Sequence, residues 1–351
     1  MKRDYYIFTS GRLHRKDNTI RFAPFAENCD DPDLLLGIDT DYTKAAEGQK
    51  KVFPIQDIAS IYIMTEATFN TRFIEFSNKN QIPLHFFNGY GFYTGTFYPK
   101  NYLLSGFLLV NQVKHYTSKQ KRLFLARQFV RGASQNILKN IQYYNKRKED
   151  FSEQIEFIKN LLGELDEQNE IHDIMNVEGR IRKKYYSMFN NILSSDVQFT
   201  TRDFNPPTNP INALISFANA LVYTAVLSEL YHTQVDPTIS YLHEPGTRRF
   251  SLALDLAEIF KPLFADRIIF KLLNKKIITK SDFEDGLNGC YLKEKGRKKV
   301  IEEFDSKLKT TIKHRDLERN VSYKRLIRLE CYKLIRHLTG DKDYEPFVIW
   351  W

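Results

Sequence analysis

Three cysteines are too few and too scattered to carry a framework. Cys29, Cys290 and Cys331 are odd in number, and no C-x-x-C pair occurs. Neither a zinc ribbon nor a disulfide scaffold is suggested, and the expected compartment is a reducing cytoplasm. Long hydrophobic runs are scarce too. The longest, "ALISFANALVYTAVL" (213–227), has 15 residues. That is short for a membrane span and reads as a buried core helix. The opening "MKRDYYIFTS" turns polar before an apolar stretch of signal-peptide length can form, so no secretory signal is expected. There is no P-loop, no H-E-x-x-H and no G-x-S-x-G, which removes the common phosphate-cradle, zincin and serine-hydrolase signatures. "GYGFYTG" (89–95) has the wrong glycine spacing for a dinucleotide fingerprint and reads as a β-hairpin turn.

What remains is a soluble-type chain of 351 residues, 42% hydrophobic and 27% charged, long enough for two domains with a core each. Its net charge of +9 is unevenly spread. Residues 1–99 hold 11 Lys/Arg against 12 Asp/Glu, so the whole cationic excess lies beyond them. A polyanion-binding surface and a set of solvated basic helix faces both fit that asymmetry.

The first hundred residues are expected to be short strands. "DYYIFTSG", "TIRFAPF", "IASIYIM", "FIEFSN" and "IPLHFFNG" are rich in β-branched and aromatic residues and separated by polar turns. The longer stretch "TRFIEFSNKNQIPLHFF" also hints at a helical interlude. After Pro99 the apolar positions recur every three or four residues, and almost everything beyond is read as helical. Helices are expected at about 103–147, 150–163, 168–193, 209–231, 251–270, 281–286, 293–315 and 321–339. The expected class is α+β: a small β-rich domain over 1–98, a linker over 99–104, and a larger α-helical domain over 105–351.

"SLALDLAEIF" (251–260) sets two acids, Asp255 and Glu258, among Leu, Ala, Ile and Phe. Acids are almost never fully buried unless paired. Three residues apart on a helix, these two share a face. His243 precedes them in "YLHEPGTRR", and Glu178 lies in the basic helix "NVEGRIRKKYY". An oxygen-rich set with one imidazole suits Mg2+ or Mn2+ better than zinc or copper. Each residue has a plainer reading. Glu178 can pair with Arg182 at i,i+4, His243 can bond backbone, and Asp255 and Glu258 can pair with Arg248, Arg249 or Lys261. One Glu-x-x-His match, Glu229 to His232, has no second copy and is taken as chance.

"NVEGRIRKKYY", "NPPTNPINALISFANALVY" and "HEPGTRRFSLALDLAEIFKPLFADR", in this order, resemble the CRISPR-associated adaptation integrases, the first-numbered and most widespread Cas family. The resemblance runs the length of the chain, down to "YEPFVIWW". It implies a metal-dependent DNA endonuclease and integrase. In that family Glu178, His243 and Glu258 correspond to metal ligands, with Asp255 supporting the catalytic site. It implies Mg2+ or Mn2+, a homodimer, double-stranded DNA as captured fragment and repeat, and a second, smaller adaptation protein as partner. Basic residues beside the ligands, Arg180, Arg182, Lys183, Lys184, Arg248 and Arg249, are expected to hold DNA phosphates, and "KEKGRKK" (293–299) is a candidate extension of that track. Rival readings are a repair-type nuclease that never integrates, a tyrosine recombinase using Tyr185 or Tyr186, and a non-catalytic nucleic-acid-binding module.

Overall fold

A computed structural model describes residues 2–25, 51–145, 147–194, 197–203, 206–246, 250–286 and 289–351. The chain divides into two compact units, Met1–Tyr102 and Leu103–Trp351. The class is α+β, a β-rich unit followed by a helical one.

The first unit begins with β1 (Arg3–Ile7), β2 (Gly11–Lys16) and β3 (Thr19–Pro24), and continues with β4 (Lys51–Pro54), β5 (Ile58–Ile63) and β6 (Ala67–Phe69). After α1 (Thr71–Lys79) come β7 (Leu84–Phe87) and β8 (Tyr93–Phe97). Among the described residues these form two four-stranded sheets, ordered β1-β5-β7-β8 and β4-β3-β2-β6. Their shared core includes Ile7, Leu13, Ile20, Ile61, Phe73 and Leu84, supplied by alternate strand positions and one helix face. The turn between β2 and β3 is short because Asp17 adopts a φ of 53°, a left-handed state that Asp tolerates. Gly11 is required by close approach, since a Cβ there would lie 2.5 Å from the Ala23 carbonyl oxygen.

One strand expectation is corrected. "FIEFSN" is α1, not a strand. Asn70 accepts the Phe73 N–H at 3.1 Å as N-cap, and Phe73, Phe76 and Ser77 turn inward at helical spacing. The helical interlude is therefore this segment itself. "GYGFYTG" does lie at a hairpin, with β7 and β8 antiparallel on either side of Gly91.

The second unit opens with α2 (Gly106–Thr117) and α3 (Lys119–Asn145), divided at Ser118, whose extended ψ of 109° breaks the expected single helix. Next come α4 (Ser152–Glu164), α5 (Ile171–Ser187) and the short α6 (Phe189–Ile192). The 22-residue α7 (Pro210–Tyr231) starts where Asn209 caps the Asn212 N–H and proline takes the first turn. It is long and apolar enough to cross a membrane, but it lies inside this unit, with every residue from Leu221 to Tyr231 buried. Then follow α8 (Ser251–Phe260) and α9 (Arg267–Asn274), joined by a π-turn over Pro262–Asp266.

Two further helix expectations are corrected. Residues 281–286 end a 3-10 turn and form β9 (Phe283–Gly286), paired with β10 (Gly289–Leu292). The helix expected over 293–315 stops early: α10 is Glu294–Lys309, and β11 (Thr311–Lys313) pairs with β12 (Asn320–Ser322) before α11 (Tyr323–Leu338). β-branched Thr310, Thr311 and Ile312 favour the extended state there. Cys290 and Cys331 are free and buried; Cys29 lies outside the described residues.

Two asparagines one turn apart on α3 seat the end of α8. Asn136 donates to the Ile259 carbonyl at 2.9 Å and the Phe347 carbonyl at 3.0 Å, and accepts the Ile349 N–H at 2.8 Å. Asn140 donates to the Pro262 carbonyl at 2.8 Å and accepts Arg267 Nε at 2.7 Å. Side-chain amides take these carbonyls where the π-turn over Pro262–Asp266 departs from the α-ladder. The ladder resumes with an i→i+5 bond, Asp266 N–H to the Lys261 carbonyl at 3.1 Å. Asn136→Ala strands two carbonyls and one N–H in the core. Urea unfolding should show a loss of about 2–4 kcal/mol; a loss within experimental error would contradict this role.

Candidate active site

Asp255 is fully buried, and among the described residues the His243 ring is the one basic group within salt-bridge distance of it. It is satisfied by hydrogen bonds. One oxygen accepts the Tyr241 N–H at 2.7 Å and the Leu242 N–H at 3.0 Å; the other accepts the His243 N–H at 3.0 Å and His243 Nδ1 at 2.8 Å. A carboxylate accepts here, so Nδ1 is the donor in this bond, and the neutral ring then carries its lone pair on Nε2. Asp255 is thus the residue that folds the histidine loop and aims its ring.

The same loop is held from its other side by α2 and α3. Gln112 donates to the Asp236 carbonyl at 3.1 Å and accepts the Asp236 N–H at 2.8 Å. Arg122 donates to the Tyr241 carbonyl at 3.1 Å and to Glu244 at 2.5 Å, and the Tyr116 hydroxyl donates to the other Glu244 oxygen at 2.5 Å. The hydrogen bonds from Tyr116 and Arg122 lower the Glu244 pKa.

One turn beyond Asp255, Glu258 is buried and enters a second network. Val177, Ile181 and Tyr185 bury one face of α5 and leave Glu178 and Arg182 side by side, one turn apart. The Arg182 guanidinium donates through Nε to Glu178 and through Nη2 to Glu258. Lys261 Nζ meets the other Glu258 oxygen at 2.5 Å. Two carboxylates and two cations therefore form one charge-balanced chain between α5 and α8. Burial disfavours the Arg182 cation, but Glu178, Tyr186 and Asp266 outweigh it and hold its pKa above the ordinary value. Burial, aided by the like charge of Arg182, pulls Lys261 down to about 8. Burial pushes Asp266 up to about 6, against the pull of Arg182, Tyr185 and Lys261.

The four candidate acid and histidine positions thus fall into two pairs joined by α8: His243 with Asp255, and Glu178 with Glu258 through Arg182. As they stand, no three His, Cys, Asp or Glu side chains among the described residues gather closely enough to hold a metal. The donor chemistry nonetheless fits a hard divalent cation: two carboxylates facing a single positive group, and an imidazole locked by a carboxylate behind it.

The basic positions fare differently. Arg182, expected among the DNA-contacting residues, is 15% exposed in its side chain and bridges two carboxylates that take its donors. Arg180 pairs with Glu164 and Lys184 with Glu153, both across to α4, and Lys183 is exposed. Arg248 and Arg249 lie outside the described residues. Most of "KEKGRKK" is tied up internally: Arg297 is buried on the Leu292 carbonyl, and Lys299 pairs with Asp282. Glu229 is paired with Arg328, which accounts for it without His232. Tyr185 is poorly suited as a recombinase nucleophile. Its buried hydroxyl receives Asn140 at 3.2 Å, and burial with the nearby Asp266 charge raises its pKa well above the usual value. The Glu258–Lys261 pair is one of the plainer readings taken from the sequence, and the structure shows it. The Tyr116–Arg122 clamp was not singled out, and nothing local signals it.

The sequence profile of the family described as CRISPR associated protein Cas1 matches residues 5–306. A CRISPR-associated endonuclease Cas1 of Thermodesulfovibrio yellowstonii is 48% identical over 349 residues, covering 99% of this chain and 100% of its own. A Cas1 protein structure from Thermotoga maritima superposes with a TM-score of 0.84 at 35% identity, covering 97% of this chain and 98% of that one. A casposase bound to integration product has the same fold, with a TM-score of 0.82 at 20% identity, covering 99% of this chain and 93% of the other.

Asp255→Asn keeps the shape but turns an acceptor oxygen into a donor that faces N–H groups. We expect a stability loss of about 2–4 kcal/mol and faster amide exchange at 241–243; unchanged exchange there would contradict the anchoring role. Asp266 gives a pH signature. An acid whose folded pKa of about 6 exceeds its unfolded value near 4 holds its proton more tightly when folded. Its share of stability is intact below about pH 4 and is lost as the pH rises through about 6. Between about pH 4 and pH 7 the parent should lose about 2–3 kcal/mol relative to Asp266→Asn, and parallel stability curves would refute this.

Proposed function

The chain belongs to the CRISPR-associated Cas1 family of endonucleases and integrases, and on that premise we propose that it inserts short foreign DNA fragments into a CRISPR array. The reaction is attack of the fragment's 3′-hydroxyl on a phosphodiester at the repeat edge, releasing the 3′-oxygen of the cut strand. The observation that carries this reading is that helix α8 presents two carboxylates with different partners: Asp255 bonded to the His243 ring, and Glu258 facing Glu178. Glu178, His243 and Glu258 would hold Mg2+ or Mn2+, which when bound supplies polarisation of the phosphoryl oxygen and a lower pKa for the attacking hydroxyl.

The chain's own residues do the positioning. Asp255 fixes the tautomer and orientation of His243, so its role is to position rather than to touch substrate. The exposed pairs Arg180–Glu164 and Lys184–Glu153 contribute little to stability and release their cations readily to a phosphate. Lys183 stands beside them, and Arg248 and Arg249 follow His243 in the chain. Together these are the proposed phosphate contacts, which set DNA register without reading sequence. The cationic excess confined to the residues beyond 99 supports double-stranded DNA as the partner. A homodimer assembled with the second, smaller adaptation protein is the proposed working form.

Glu178→Ala and His243→Ala should each abolish strand transfer and nicking while DNA binding survives, because ligands of one metal act as a unit. Integration into a repeat-containing plasmid, with a mobility-shift control, measures both. Full strand transfer by either purified variant would sink the proposal. Nicking without integration by the parent, with its partner protein supplied, would favour a repair-type nuclease.

A further inference from the structure

The Arg182 guanidinium reaches Glu178 on its own helix and Glu258 on α8, 76 residues away in sequence. Lys261 takes the second Glu258 oxygen at 2.5 Å. Both oxygens of Glu258 and one of Glu178 are therefore engaged by cations. The cluster is largely shielded from water, with side-chain exposures of 10% for Glu258, 15% for Arg182 and Lys261, and 23% for Glu178. Arg182 and Lys261 balance Glu178 and Glu258, with the Asp266 carboxyl also close to both cations. A divalent ion added while both cations stay in place would leave uncompensated positive charge in a poorly solvated place.

We infer that Arg182 is an internal counter-ion that competes with the divalent metal for Glu178 and Glu258, so that metal enters only as the guanidinium leaves. This rests on the reading of Glu178, His243 and Glu258 as ligands. The competition follows from lone pairs: the oxygens that accept Arg182 are those a metal would use. Arginine suits the task because its planar fork spans two carboxylates, which a lysine ammonium at the same position would not. Its long apolar stem lets the head swing without moving α5. Once released, the guanidinium stands beside the ligands and is matched in geometry to a phosphate. Arg182 thus holds Glu178 and Glu258 close together, and holds metal affinity down until a polyanion offers the cation another partner.

The test is Mn2+ binding by the full chain without DNA, read from the electron paramagnetic resonance of free Mn2+, with thermal melting alongside. Arg182→Gln should bind Mn2+ at least about tenfold more tightly than the parent, equivalent to about 1.4 kcal/mol. It should also melt at a lower temperature without metal and recover more on adding Mn2+ than the parent does. His243→Ala identifies which binding belongs to this site. If parent binding is lost in His243→Ala but Arg182→Gln binds no more tightly, the competition is wrong and the ligand reading stands. If the parent has no Mn2+ site sensitive to His243→Ala, the ligand reading itself falls. Should Arg182→Gln fail to fold without metal, Arg182→Lys carries the comparison. Its shorter reach should give a gain of about threefold, about 0.7 kcal/mol, and no gain would overturn the inference.

Discussion

A carboxylate wrapped in N–H donors organises this helical unit. Asp255 is buried completely, yet three consecutive backbone N–H groups and one ring nitrogen satisfy it. Removing a charge from water is tolerable only when such donors replace the water. The loop at 241–243 must therefore wrap around α8, and α8 must sit where the loop can reach it. Because the residues between them are helical, the place of Asp255 sets that of Glu258, one turn on. The apolar remainder of "SLALDLAEIF" fixes the helix in the core, so two polar side chains stand on a support with little freedom.

The second acid is stabilised by the opposite strategy. Glu258 relies on full charges, Arg182 and Lys261, where Asp255 relies on N–H dipoles. The difference has chemical meaning. Backbone donors cannot leave, so Asp255 is committed to structure. Long cationic side chains can leave, so Glu258 and Glu178 keep lone pairs in reserve. One helix thereby carries a fixed carboxylate and an exchangeable one, three residues apart. The π-turn that follows, and the asparagines that catch its carbonyls, hold Lys261 and Asp266 close behind.

Much of this was legible from spacing. The shift from two-residue to helical periodicity near Pro99, the Asn209-Pro210 start of α7 and the shared face of Asp255 and Glu258 all express local rules. So do the pairs Glu178–Arg182 and Glu258–Lys261. What escaped was either non-local or a contest between weak local preferences. No spacing shows that Arg182 meets Glu258 across 76 residues, so it looked like one more surface cation. "FIEFSN" has strand-like residues but a capping Asn before it, and the cap and the inward Phe73–Phe76 face prevailed. At 281–286 a paired strand stands where a helix was expected, and Gly286 lets the Tyr291 ring of the partner strand lie against it, where a Cβ would come within 2.5 Å.

The final residues carry an implication for biosynthesis. Buried Glu330 accepts the Tyr344 hydroxyl at 2.5 Å and the Phe347 N–H at 2.9 Å, and Asn136 accepts the Ile349 N–H at 2.8 Å. Helix α3 is thus completed by a strap made about two hundred residues later, the Asn136–Ile349 bond spanning 213 positions. Before that strap is made, Asn136 lacks its bonds to Phe347 and Ile349, and Glu330 lacks those to Tyr344 and Phe347. The β-rich unit has its whole sequence early in translation, whereas the helical unit gains these bonds only after about two hundred further residues are made.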